Sequence, residues 1–157
     1  MSGFLKCFVY LMLSGFAVFL LGRALPKSWF RYDAFPFRDY SFEQHGNLYR
    51  RFGIHKWQNR VPDMSRFFSR WMPPKRLSPG ISSAQVEVMV QETCIAECAH
   101  LILWFSGAAV LWIWPGLGGA AMYLLGSLIG NLPFIFIQRF NRPKLVALMK
   151  KLRQSGR

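Results

Sequence analysis

Glu92-Thr93-Cys94-Ile95-Ala96-Glu97-Cys98-Ala99-His100 leads directly into Leu101-Ile102-Leu103-Trp104-Phe105, and no charged residue follows until Arg139. An uncharged run of that length makes two arms, each on the short side for a ~30 Å hydrocarbon layer, which draws the flanking polar groups toward the headgroup boundary. Pro115-Gly116-Leu117-Gly118-Gly119 marks the turn between them. The polar residues ahead of the run are not scattered. At about 100° per residue, Glu92, Thr93, Glu97 and His100 share one side of a helix, while Cys94, Ile95, Cys98, Leu101 and Ile102 take the other. A side chain that titrates near neutral pH, beside a carboxylate at the lip of a membrane segment, marks a candidate site for chemistry.

Composition agrees with a membrane protein. The 157 residues are 52% hydrophobic and 17% aromatic, and the mean hydropathy is positive; both depart from an ordinary soluble domain. The net charge of +13 would suit nucleic acid. Basic clusters beside apolar spans instead fit positive-inside topology and anionic headgroups, so no nucleic-acid partner is expected. Cys7, Cys94 and Cys98 cannot all pair within the chain, and they read as buried free thiols rather than as a metal site.

These features predict an all-α integral membrane protein with about three transmembrane helices plus interfacial amphipathic helices. It is read as one membrane domain, 1–157. Residues 1–25 form a retained first span; Gly22-Arg23-Ala24-Leu25-Pro26 is a poor cleavage site for a signal peptide. Residues 26–98 form an aromatic and basic segment that includes the start of the second helix. Residues 99–114 and 119–138 are the second and third spans, and 139–157 a basic tail. Within 26–98, Met64, Phe67, Phe68, Trp71 and Met72 recur at helical spacing opposite Arg66 and Arg70, an interfacial amphipathic helix with Asp63 as its N-cap and Pro73-Pro74 as its stop. Ser82 with Gln85 three residues on fits a capping box, from which a helix runs to about Trp114. Lys and Arg number 11 between 26 and 98 and 7 from 139 onward, against none in 115–119. That bias puts the polar segment and the C-terminus on the cytoplasmic side of a multi-pass protein in a bacterial cell membrane.

Several stretches together bring one family into view. Phe42-Glu43-x-His45-Gly46, Lys56-Trp57 followed by Asp63, Glu92-Thr93-x-x-Ala96-Glu97-x-x-His100, and Asn131-x-Pro133 running into Gln138-Arg139-Phe140-Asn141-Arg142-Pro143-Lys144-Leu145 resemble, in order and approximate spacing, the glycosyl-4,4'-diaponeurosporenoate acyltransferases. The likeness covers about Trp29 to Leu145, and the Gln-Arg-aromatic-Asn-Arg-Pro string is its most specific part. The first helix agrees only in being apolar. The resemblance implies a small bacterial membrane enzyme that esterifies a sugar hydroxyl of a glycosylated carotenoid acid with a fatty acyl chain. Its motifs mark Trp57, Asp63, Asn131, Gln138 and Asn141 as candidate substrate-binding positions.

The chemistry of the residues is compatible with that implication. Acyl transfer to an alcohol needs a base for the hydroxyl proton and stabilisation of the tetrahedral oxyanion. His100 is the expected general base, with Glu97 one turn earlier orienting it; His45 beside Glu43 is the other candidate. Glu92 and Thr93 suit the acceptor sugar, and Arg139 and Arg142 suit donor phosphates or the reacting carbonyl. The donor is expected to be acyl-CoA or acyl carrier protein, with no further cofactor and no metal, and the partners are membrane lipids and a glycosylated lipid acceptor. There is no G-x-S-x-G nucleophile elbow, so direct attack by the acceptor hydroxyl is expected rather than an acyl-enzyme. A non-enzymatic membrane lipid-binding or assembly subunit is the alternative. A di-metal enzyme would use two E-x-x-H half-sites, and the sequence has one.

Overall fold

The computed structural model describes residues 1–61 and 77–156. The expected amphipathic helix over 64–72, together with Asp63, lies outside them. Every regular element among the described residues is helical: α1 (Gly3–Ala24), α2 (Asn47–Arg51), α3 (Ile54–Trp57), α4 (Ser83–Gly107), α5 (Val110–Ile113), α6 (Leu117–Leu125) and α7 (Leu132–Gln154), with short 3-10 turns and one π-helical turn, Gly126–Asn131, between α6 and α7. Three stretches, Gly3–Ala24, Ser83–Ile113 and Leu117–Gln154, are long and apolar enough to cross a membrane. Only 11%, 28% and 11% of their apolar windows are buried within the protein, so most of that hydrocarbon surface faces outward, as a lipid-solvated helix requires. This is an all-α membrane protein. Its contacts divide it into two compact units, residues 1–29 with 95–136 and residues 30–94 with 137–157.

The first unit is built on close helix packing at small residues. In α1, Ser2 caps the N-terminus by accepting from the Leu5 amide at 3.3 Å, and Pro26 holds Leu25 in an extended conformation that ends the helix. Tyr10 donates its hydroxyl to the Ser106 carbonyl at 2.9 Å, and the fully buried Cys7 thiol faces the Val110 carbonyl. The sequence predicts one helix through to Trp114. Instead α4 stops at Gly107, the bonding tightens to i→i+3 through Ala108, Ala109, Leu111 and Trp112, and α5 resumes. The turn beyond depends on glycine. A Cβ on Gly119 would stand 2.1 Å from the Trp114 carbonyl oxygen, and one on Gly118 2.2 Å from the Trp114 ring. Trp114 therefore packs closely against the start of α6, and Gly3 lies against the same ring.

Pro133 accounts for the π turn. It cannot donate to the carbonyl four residues back, and its ring would strike that carbonyl in a regular helix. The wider turn at Gly126–Asn131 removes the clash without ending the helix.

The second unit pairs the first half of α4 with most of α7. Val86, Val90, Cys94, Ile54, Phe140 and Met149 are buried in it. The expected capping box forms: Ser82 Oγ accepts from the Gln85 amide at 3.3 Å, and Gln85 Oε1 accepts from the Ser82 amide at 2.9 Å. The basic residues from 139 are helical as far as Gln154, and Arg153 reaches Glu87 on α4 at 2.8 Å.

Candidate active site

The second unit holds an open cavity of about 500 Å³, within the range of small-molecule sites. Its floor is a set of saturated buried ions. Glu43 is 2% exposed; both of its oxygens accept from Arg139 Nη1 at 2.9 Å, one accepts from the Tyr40 amide at 3.0 Å, and the Tyr49 hydroxyl donates to it as well. Arg139 also donates to the Pro36 carbonyl. Arg142 is buried too. Its Nε donates to Thr93 Oγ1 at 2.8 Å, its Nη2 to the Thr93 carbonyl at 3.1 Å and its Nη1 to the Phe37 carbonyl at 2.7 Å. The Thr93 hydroxyl itself donates to the Val90 carbonyl at 2.6 Å. These two arginines fasten an irregular loop and α4 to α7, using planar donor geometry that lysine lacks.

His45 sits at the edge of this cavity on unusual backbone. Gln44, His45 and Gly46 have φ of 51°, 55° and 90°, a left-handed run that costs two non-glycine residues on the order of 1–3 kcal/mol each. Gly46 makes the run possible. A Cβ there would lie 3.0 Å from the Phe140 carbonyl oxygen and 3.5 Å from that of Arg139, the carbonyl that Pro143 leaves without its helical donor. The turn presents His45 with its side chain 88% exposed and Nδ1 bonded to Asp39, whose side chain is 31% exposed. Asp33 also lines the cavity and pairs with Arg31 at 2.9 Å. The hydrogen bond from Arg31 holds the Asp33 carboxyl below its ordinary value.

Of the other expected binding residues in this unit, Asn141 donates to Gln58 Oε1 at 2.9 Å and the Trp57 indole to the Phe52 carbonyl at 3.1 Å. Glu92 and Gln138 are buried. Among residues that sequence reasoning passed over, Asp39, Asp33 and Lys150 line the cavity and Tyr49 closes the Glu43 cluster. Acidic residues number only seven in the chain, and that scarcity is the sequence feature that singles out Asp33 and Asp39.

The first unit holds the other candidate base. His100 Nδ1 meets Asn131 Oδ1 at 3.2 Å, and Asn131 Nδ2 donates to the Gly126 carbonyl at 3.1 Å. With its amide group so directed, Asn131 presents oxygen to Nδ1 of the ring. The ring stacks on Phe134 at 4.6 Å. Glu97, one turn earlier on α4, is 1% exposed. Among the described residues, no three His, Cys, Asp or Glu side chains converge at metal-binding distance.

Residues 26–151 match the family profile described as glycosyl-4,4'-diaponeurosporenoate acyltransferase. The chain belongs to the glycosyl-4,4'-diaponeurosporenoate acyltransferase family. A protein of that name from Staphylococcus aureus (strain bovine RF122 / ET3-1) is 29% identical over 153 residues, which cover 96% of this chain and 90% of that one. The protein of the same name from strain N315 is 28% identical over the same shares. No solved structure matches the chain. The chain is thus a membrane acyltransferase. The glycosyl-4,4'-diaponeurosporenoate acyltransferase match starts beyond α1 and takes in both the cavity of the second unit and the His100–Asn131 contact.

Proposed function

We propose that this acyltransferase moves a fatty acyl chain from a thioester donor, acyl-CoA or acyl carrier protein, to a sugar hydroxyl of a glycosylated carotenoid acid. The observation that carries the chemical part of the reading is the Asp39–His45 pair at the edge of the cavity. Acyl transfer to an alcohol requires a base within reach of an incoming hydroxyl, held by a third group in the tautomer that leaves the outer nitrogen basic. Asp39 accepts from Nδ1, so Nε2 takes the proton. The hydroxyl oxygen bonds to the thioester carbonyl carbon, the tetrahedral intermediate collapses with cleavage of the C–S bond, and the imidazolium returns the proton to the departing thiolate. Arg38 and Lys150, both on the cavity wall, stand as cations for the developing oxyanion. Glu43, Arg139 and Arg142 hold the site's shape.

A second reading has its own observation. Asn131 offers its oxygen to His100 Nδ1, which favours the tautomer a base needs, with the buried Glu97 one turn away to stabilise the charged form. In it, His100 is the general base and Glu97 the group that orients it. In either reading the basic segments face the cytoplasm, where the thioester donors are made.

Membranes carrying wild type, His45→Ala or His100→Ala, at equal protein level, are incubated with the glycosylated acceptor and a radiolabelled fatty acyl-CoA. Loss of about 10²-fold or more of ester product in His45→Ala, with a smaller loss in His100→Ala, is expected. The opposite order establishes the His100 reading, and undiminished product in both variants removes both candidate bases.

A further inference from the structure

The cavity of the second unit has a mixture of charges that selects among ligand classes. Four of its wall residues are permanent or ordinary cations, Arg38, Arg139, Arg142 and Lys150, and three are carboxylates, Asp33, Asp39 and Glu43. Arg139 and Arg142 direct donors at Glu43, Thr93 and the carbonyls of Pro36 and Phe37. Their forks are therefore aimed at the protein, whereas a phosphate site offers its forks to the ligand. Asp33 and Asp39, paired with Arg31 and His45, add carboxylate acceptors to the same lining. Ionised carboxylates only accept hydrogen bonds. What they match is a neutral ligand rich in hydroxyl donors, whose oxygens in turn accept from Arg38 and Lys150. Tyr32 adds an aromatic face to the same wall.

We propose that this cavity binds the glycosyl headgroup of the acceptor, with Asp33 as a specificity-determining residue that accepts hydrogen bonds from sugar hydroxyls. The assignment rests on the acyl-transfer reading above and places the sugar, rather than the donor's phosphates, beside Asp39 and His45. Arg31 has a supporting part. By donating through Nε at 3.2 Å and Nη2 at 2.9 Å to the two Asp33 oxygens, it fixes the direction in which the remaining lone pairs point.

The test uses the full chain in phospholipid nanodiscs, with methyl β-D-glucoside and inorganic phosphate as probes. Saturation-transfer NMR is expected to show contact with the glucoside ring protons in wild type, unaffected by excess phosphate. In Asp33→Asn the signal falls by about tenfold, as for a lost bond to a charged group, and KM for the glycosylated acceptor rises by a similar factor while kcat stays within about twofold. Asp33 is exposed and paired only at the surface, so the variant folds; helical circular dichroism confirms that. Displacement of the glucoside by phosphate, or an Asp33→Asn signal equal to wild type, overturns the assignment. Acyl transfer measured in the same nanodiscs separates the two claims. Transfer without a glucoside signal sinks the cavity assignment alone, and a glucoside signal without transfer sinks the reaction while leaving the cavity.

Discussion

At the scale of single residues, the buried ions and the exposed acid–base pair ask for different experiments. Glu43 receives bonds from Arg139, Tyr40 and Tyr49 inside the protein. Removing one partner of such a pair leaves the other charge buried and costs about 3–5 kcal/mol. Glu43→Ala is therefore expected to lower thermal stability and protein yield sharply, with activity per folded molecule falling only as the cavity loosens; a folded, stable Glu43→Ala protein that is inactive would instead put that carboxylate in the reaction. Asp39 is different because its side chain is partly exposed. Asp39→Asn keeps the shape but offers an amide where Nδ1 needs an acceptor, so kcat is expected to fall by about tenfold or more with KM nearly unchanged. An equal change in KM alone would make Asp39 a binding residue only. The candidate histidines and their neighbouring acids are visible in the sequence as types. Their partners are not, since Asp39 and His45 lie six apart in a segment without periodicity and meet through left-handed backbone at Gln44 and His45.

At the scale of elements, glycines decide where helices can approach. Gly46→Ala combines a positive φ of 90° with a 3.0 Å approach to the Phe140 carbonyl oxygen. It is expected to destabilise the second unit by about 1–3 kcal/mol and to lower activity through displacement of His45. A denaturation midpoint equal to wild type argues against that contact. Gly119→Ala carries a harder clash, 2.1 Å from the Trp114 carbonyl oxygen, and should disrupt the turn into α6. The spans themselves were legible because a long charge-free run is stable in few settings besides lipid, and the capping box at Ser82 because its two side chains are only three residues apart. The stop at Gly107 and the π turn before Pro133 were not. The π turn comes from a proline that a pattern search reads only as a break, and the stop at Gly107 has no marker in the sequence, since a Cβ there would make only ordinary contact with Tyr123 and Leu11.

For the whole molecule, the charge bias predicts an orientation. With Cys7, Cys94 and Cys98 replaced by alanine, a single cysteine at Ser155 is expected to react with a membrane-impermeant maleimide only after the cells are opened, and one at Leu117, which is 90% exposed, in intact cells. The reverse pattern inverts the protein. The family string Gln138 to Leu145 was readable in the sequence, yet two of its members, Arg139 and Arg142, turn out to be invested in holding the loop from Pro36 to Glu43. Such use is invisible in one dimension because the acceptors are mostly backbone carbonyls, which every residue carries.

The π turn at Gly126–Asn131 also makes this enzyme sensitive to a class of change that leaves every side chain intact. A π turn holds one residue more than the α-helical turn it replaces. Deleting Gly130, whose Cβ position faces open space, would let the turn relax toward regular helix and remove the five-residue spacing across which the Asn131 amide reaches the Gly126 carbonyl. The amide would leave the His100 ring with no substitution at either residue. Insertions and deletions in this short stretch, more than substitutions, are where related sequences have the means to switch that contact on or off.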